Sequence, residues 1–118
     1  LRYKKVTPLT RDHSLLQEFV DQGLYSREEA LAKVSRNILT RALGLEPHIV
    51  IDYDYIKINK GDRFLLCSDG LYDMLSDEEI GLLLNREHDV EGIALDMLEL
   101  ANARRSTDNV SVIVIAGF

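Results

Sequence analysis

Phe64-Leu65-Leu66-Cys67-Ser68-Asp69-Gly70-Leu71-Tyr72-Asp73 decides how the rest of the chain is read. A short apolar run ends abruptly in Ser-Asp-Gly, and a second acid, Asp73, follows one helical turn later. A run this short does not fill a helix and reads as a buried strand. Gly70 permits a sharp turn, and a helix-type pattern follows it. Asp69 therefore lies where a strand stops, the usual place for a working carboxylate in an α/β sheet. Asp-Gly is equally a common turn pair, and this stretch by itself does not separate the two readings.

Working outward, Asp108-Asn109 immediately precedes Val110-Ser111-Val112-Ile113-Val114-Ile115, a strand by composition and length. Asp69 follows one strand and Asp108 precedes another. If the two strands are antiparallel neighbours, both acids lie at one edge of the sheet. Carboxylates brought together repel unless a proton or cation sits between them. Oxygen ligands without a Cys or His cluster favour a hard ion such as Mg²⁺ or Mn²⁺. If residues after Gly70 are helical, Asp69 and Asp73 are one turn apart and can face the same ion. Asp73 equally suits a surface acid near a helix start.

The chain has 118 residues, 46% hydrophobic and 29% charged, with a net charge of -6. That length allows at most one domain with one modest core. The negative charge argues against nucleic acid or an anionic membrane as the main partner. It leaves phosphorylated substrates open, because bound cations overturn the local sign. The single cysteine, Cys67, makes no internal disulfide, suits a reducing, cytoplasmic compartment and reads as apolar filler. Every apolar run is too short and too broken by charge to span a membrane. Leu1 opens the chain without an initiator Met, as a fragment or a processed product would.

Before the central stretch, Tyr3 to Leu9 reads as a short edge strand ending at Pro8. Ser14-x-x-Gln17 and Ser26-x-x-Glu29 are capping-box patterns that open two helices, and Gly23 stops the first. Ile38, Leu39, Ala42 and Leu43 predict a third, ending at Gly44. Residues 14–44 thus form a compact helical insert carrying Arg27, Lys33, Arg36 and Arg41, cations whose ordinary reading is a solvated face. Ile49 to Ile58 alternates as a strand with a change of phase, and Asn59-Lys60-Gly61-Asp62 turns it back into Arg63–Cys67. Later, Ser76-x-x-Glu79 opens another helix, and Val90 to Ala103 forms a longer one with Ile93, Ala94, Met97, Leu98 and Ala101 inward.

His13 is open to a general-acid role but reads first as a turn-holding hydrogen bonder, and His48 and His88 lack partners at metal-ligand spacing. Ser68 has no Gly-x-Ser-x-Gly elbow around it, and no Gly-rich phosphate loop is present. Two acids do not complete a hydrolytic two-metal site, which needs bridging groups and further ligands.

Four blocks in order resemble the metal-dependent Ser/Thr protein phosphatases of the PPM type, especially bacterial members. They are Leu9-Thr10-Arg11-Asp12-His13-Ser14-Leu15, Arg36-Asn37-Ile38-Leu39-Thr40-Arg41-Ala42-Leu43-Gly44, Gly61-Asp62-Arg63-Phe64-Leu65-Leu66-Cys67-Ser68-Asp69-Gly70-Leu71, and Thr107-Asp108-Asn109-Val110-Ser111-Val112. The resemblance implies an α+β fold, an α-β-β-α sandwich of two antiparallel sheets that is incomplete in this chain. Residues 1–118 would be the C-terminal portion of one catalytic domain. It implies a dinuclear Mn²⁺ or Mg²⁺ centre with Asp69 and Asp108 as ligands, and Asp73 at a third, weaker site. Residues 14–44 would be a flap beside the substrate, with Lys33 and Arg36 nearest to it. Substrates would be phosphoproteins made by Ser/Thr kinases, attacked directly by a metal-activated water. The family's N-terminal Asp-Gly metal motif, phosphate-binding Arg and Gly-Asp-Ser-Arg strand are not in these 118 residues, so little activity is expected of the chain alone. A rival expectation is a phosphatase-like binding or regulatory module without catalysis.

Overall fold

The computed structural model describes residues 1–87 and 89–117. The elements, in chain order, are α1 (Leu15–Asp21), α2 (Arg27–Lys33), β1 (Phe64–Cys67), α3 (Asp69–Tyr72), α4 (Asp77–Leu84), α5 (Val90–Ala103) and β2 (Val112–Ile115). They fall into two compact units, one made of Leu1–Thr7 with Ile56–Phe118 and the other of Pro8–Tyr55.

The first unit is built on an antiparallel pair, β1 with β2, in the register Phe64↔Ile115 to Cys67↔Val112. Side chains alternate across a strand, so Leu65, Cys67, Val112 and Val114 share one face. That face packs against Leu71, Leu75, Ile80, Leu83, Leu84, Ile93, Met97 and Ala101 from the α3–α5 side. Full burial of side chains such as Leu84, Ile93 and Met97 contributes roughly 2 kcal/mol each. The opposite face stays open, with Leu66 53% and Ile113 59% exposed.

Helix boundaries follow local chemistry. Ser76 and Glu79 close a reciprocal capping box at the start of α4. Arg63 Nη1 donates to the carbonyls of Leu84 (2.5 Å) and Arg86 (2.7 Å), where the helix leaves its last acceptors unpaired. Asp89 caps α5 by accepting from the Gly92 N–H at 2.7 Å. At the other end of α5, Arg105 takes a left-handed φ of 59°. Its N–H donates to Asn102 and that of Ser106 to Ala101, the Schellman pattern with Arg where Gly is usual.

In the second unit, Ser14 and Ser26 cap α1 and α2 as their spacing predicts. Gly23, at φ 71°, ends α1 with the same Schellman pairing. Phe19 and Tyr25 meet edge to face, and Lys33 Nζ lies 4.8 Å above the Tyr25 ring.

Three expectations are corrected. Residues 38–43 are not a helix: the Leu15 N–H donates to Ile38 O and the Thr40 N–H to His13 O, both at 2.9 Å. A bridge between Ser14 and Leu39 takes the place of a helical turn. Tyr3–Leu9 is not a strand but begins with a tight turn in which Arg2 and Lys5 exchange both backbone bonds at 2.9 Å. Ile49–Ile58 is extended in pattern yet unpaired, with Ile51 73% and Tyr53 83% exposed. A strand exists only against a neighbour that takes its backbone bonds, and none does so among the described residues. The described sheet therefore has two strands, not three.

Candidate metal centre

Antiparallel pairing of β1 and β2 brings the end of one strand beside the start of the other, and both acids of interest flank that junction. The Ser68 N–H continues the ladder to Ser111 O at 3.1 Å. Ser68 Oγ donates to Asn109 O and accepts from the Ser111 N–H, each at 3.0 Å. Asp69 follows at once as the first residue of α3, and its Oδ1 accepts from the Gly70 N–H at 2.9 Å. Asp108 precedes Asn109, whose N–H donates to Asp108 Oδ1 at 2.7 Å. Ser106 Oγ lies 3.1 Å from Gly70 O and 3.2 Å from Asp108 O, touching the backbone of both turns. Asp69 and Asp108 are both exposed.

Gly70 is required here for closeness rather than for its φ. A Cβ on it would lie 2.4 Å from Asn109 O and 3.3 Å from Val110 Cγ2. The expectation of a sharp glycine turn gives way to a helical Gly70, flush against the loop that carries Asp108.

Asp73 caps the C-terminus of α3, and its N–H donates to Asp69 O at 2.9 Å. The two acids are thus one turn apart. Lys33 ends α2, and Arg36 follows it in the second unit. His13 also belongs to that unit, where its Nε2 pairs with Asp52 Oδ2 at 2.7 Å and Arg41 Nη1 reaches Asp52 Oδ1 at 2.8 Å. These two partners, His13 first, hold the Asp52 carboxyl below its usual range. His88 lies outside the described residues. Among the described residues, no group of three or more His, Cys, Asp or Glu side chains is arranged to hold a metal ion.

No protein-family model matches the chain. Individual proteins do. Over 107 residues it is 35% identical to the serine/threonine phosphatase Stp of Listeria monocytogenes, covering 91% of this chain and 42% of that protein. The solved structure of the S. agalactiae serine/threonine phosphatase superposes with a TM-score of 0.91 at 32% identity, covering 98% of this chain and 48% of that one. This chain is a homologue of the PPM-type serine/threonine phosphatases. It spans a little under half the length of the relatives it matches. The catalytic domain of the PPM phosphatase PstP, solved in complex with two manganese ions, superposes at a TM-score of 0.81 and 37% identity over 97% of this chain and 46% of that one. No helix among the described residues of this chain is long and apolar enough to cross a membrane.

The serine clamps of this junction were not legible in the sequence. Ser68 reads from sequence only as a nucleophile without an elbow, and Ser106 only as part of the polar loop 104–107 that delivers Asp108. Their signal is faint, because a hydroxyl that binds backbone carbonyls leaves no spacing rule in the sequence.

Proposed function

We propose that residues 1–118 form the C-terminal portion of a single PPM catalytic domain, and that the complete domain hydrolyses phosphoserine and phosphothreonine in proteins. The observation that carries this reading is the junction of β1 and β2, where the turns bearing Asp69 and Asp108 meet and are bridged by Ser68 and Ser106. The donor chemistry fits a hard divalent ion, since both groups offer carboxylate oxygen and stand exposed. In this reading Asp69 and Asp108 hold Mn²⁺ or Mg²⁺, and Asp73, one turn on, serves a third and weaker site. Bound divalent ions lower the pKa of the attacking water and neutralise phosphate charge. The chain's own residues fix the ligands: β1 and β2 set their spacing, and the Ser68 hydroxyl keeps the two turns in register.

Two acids leave a two-metal centre incomplete, so the remaining ligands and the phosphate-binding cation belong to the other half of the domain. The open sheet face of Leu66 and Ile113, with the unpaired stretch 49–58, suits the second layer of an α-β-β-α sandwich. Residues 14–44 act as the flap, and Lys33 and Arg36 steer the phosphoprotein. Substrates are the products of cytoplasmic Ser/Thr kinases, consistent with an acidic chain ill suited to nucleic acid.

The test is Asp69→Asn and Asp108→Asn in the full-length protein, with p-nitrophenyl phosphate and Mn²⁺. Turnover is expected to fall by roughly two orders of magnitude, the scale lost with a principal charge-stabilising group, while circular dichroism is unchanged. Wild-type turnover in either variant removes that acid from the mechanism.

A further inference from the structure

We infer that Ser106 is a positioning residue for the metal centre: its hydroxyl fastens the turn of Asp69 to the loop of Asp108 and so sets the affinity for a divalent cation. The inference rests on the metal reading given above. Its physical basis is where the hydroxyl hangs and what it touches. The Ser106 N–H is bonded to the carbonyl of Ala101, a fully buried residue in the last turn of α5. The side chain therefore starts from the anchored end of a helix packed into the core. Its oxygen lies within hydrogen-bond distance of Gly70 O, next to the first acid, and of Asp108 O, on the second. One proton serves both carbonyls in a three-centre arrangement, or alternates between them.

Without a cation, Asp69 and Asp108 repel and drive their turns apart. A hydroxyl bonded to both turns opposes that motion and keeps the pair in a binding arrangement. Remove it and the binding-competent arrangement becomes a smaller fraction of the population, which weakens the apparent affinity in proportion. Loss of groups that orient metal ligands typically lowers metal affinity by roughly 10- to 100-fold.

The experiment is calorimetric titration of the full-length protein with Mn²⁺ alone, alongside melting temperatures. Ser106→Ala is expected to weaken Mn²⁺ binding by roughly 10- to 100-fold. Ser106→Thr, which keeps a hydroxyl on the same carbon, is expected to stay near wild type. Asp89→Ala removes the cap at the far end of α5, about twenty residues along the chain from either acid, and is expected to lower the melting temperature without weakening Mn²⁺ binding. The inference is overturned if Ser106→Ala binds Mn²⁺ as tightly as wild type, if Ser106→Thr is as weak as the alanine variant, or if Asp89→Ala weakens binding equally. A wild-type protein that takes up no Mn²⁺ defeats the metal reading itself, and the role of Ser106 falls with it.

Discussion

At Gly70, α3 lies directly on the carbonyl of Asn109. A methyl group there meets backbone on a neighbouring segment, and backbone cannot swing aside as a flexible side chain does. Gly70→Ala is therefore expected to destabilise the first unit by about 1–3 kcal/mol, the range for overpacking, and to part the Asp69 and Asp108 turns. Urea unfolding measures the first effect. An unchanged midpoint would show that the Asn109 loop gives way freely. Asp69-Gly70 was legible in the sequence as a junction of strand and acid. The reason for glycine was not, since its partner atom lies nearly forty residues away.

Among the ion pairs of the described residues in the first unit, Arg104–Glu79 and Arg2–Asp62 make it sensitive to acid. Arg104, at the end of α5, grips the Glu79 carboxylate, which also accepts the Ser76 N–H in the α4 capping box. Together they hold the Glu79 carboxyl at about 2. Asp62, only 3% exposed, accepts from Arg2 Nε at 2.9 Å, from Arg2 Nη2 at 2.6 Å and from the Asn59 N–H at 2.8 Å. These hold it at about 2 as well. Both carboxylates are depressed on folding, so in acid the unfolded chain binds more protons than the folded one. Their stabilisation is complete above about pH 4.5 and is lost as pH falls towards 2. Unfolding midpoints followed by circular dichroism should decline over that window, and less steeply in Glu79→Gln. An equal slope in both would exclude Glu79 from the acid response. The capping boxes were readable in sequence because each closes within three residues. The Arg104 and Arg2 partnerships were not, because they bridge segments set together only by packing.

At the scale of the whole chain, the contrast lies between a sheet buried on one face and a long extended stretch with no ladder partner among the described residues. Amides of Leu66 and Ile113, which face the partner strand one bonded pair on from Ser68 and Ser111, are expected to exchange slowly in deuterium, whereas those of Ile51 and Tyr53 exchange at nearly the free rate. Mass-resolved exchange distinguishes them, and strong protection at 51 and 53 would mean that this stretch has found a partner. The long helix α5 runs from Val90 to Ala103 as its apolar spacing predicts, since core contacts at Ile93, Met97 and Ala101 agree with local preference. The third helix of the insert failed because residues 38 and 40 give their backbone groups to Leu15 and His13. The apolar stripe of that segment is largely exposed, with Leu39 and Leu43 open to solvent. What the sequence determined by itself was everything decided within a few residues: strand ends, helix starts and the two acids placed beside them. Only the tertiary structure decided which carbonyl crowds Gly70, which hydroxyls lock the acid turns, and that residues 49–58 find no ladder partner among the described residues. Those outcomes depend on atoms distant in the chain competing for the same backbone groups, and local spacing carries no record of that competition.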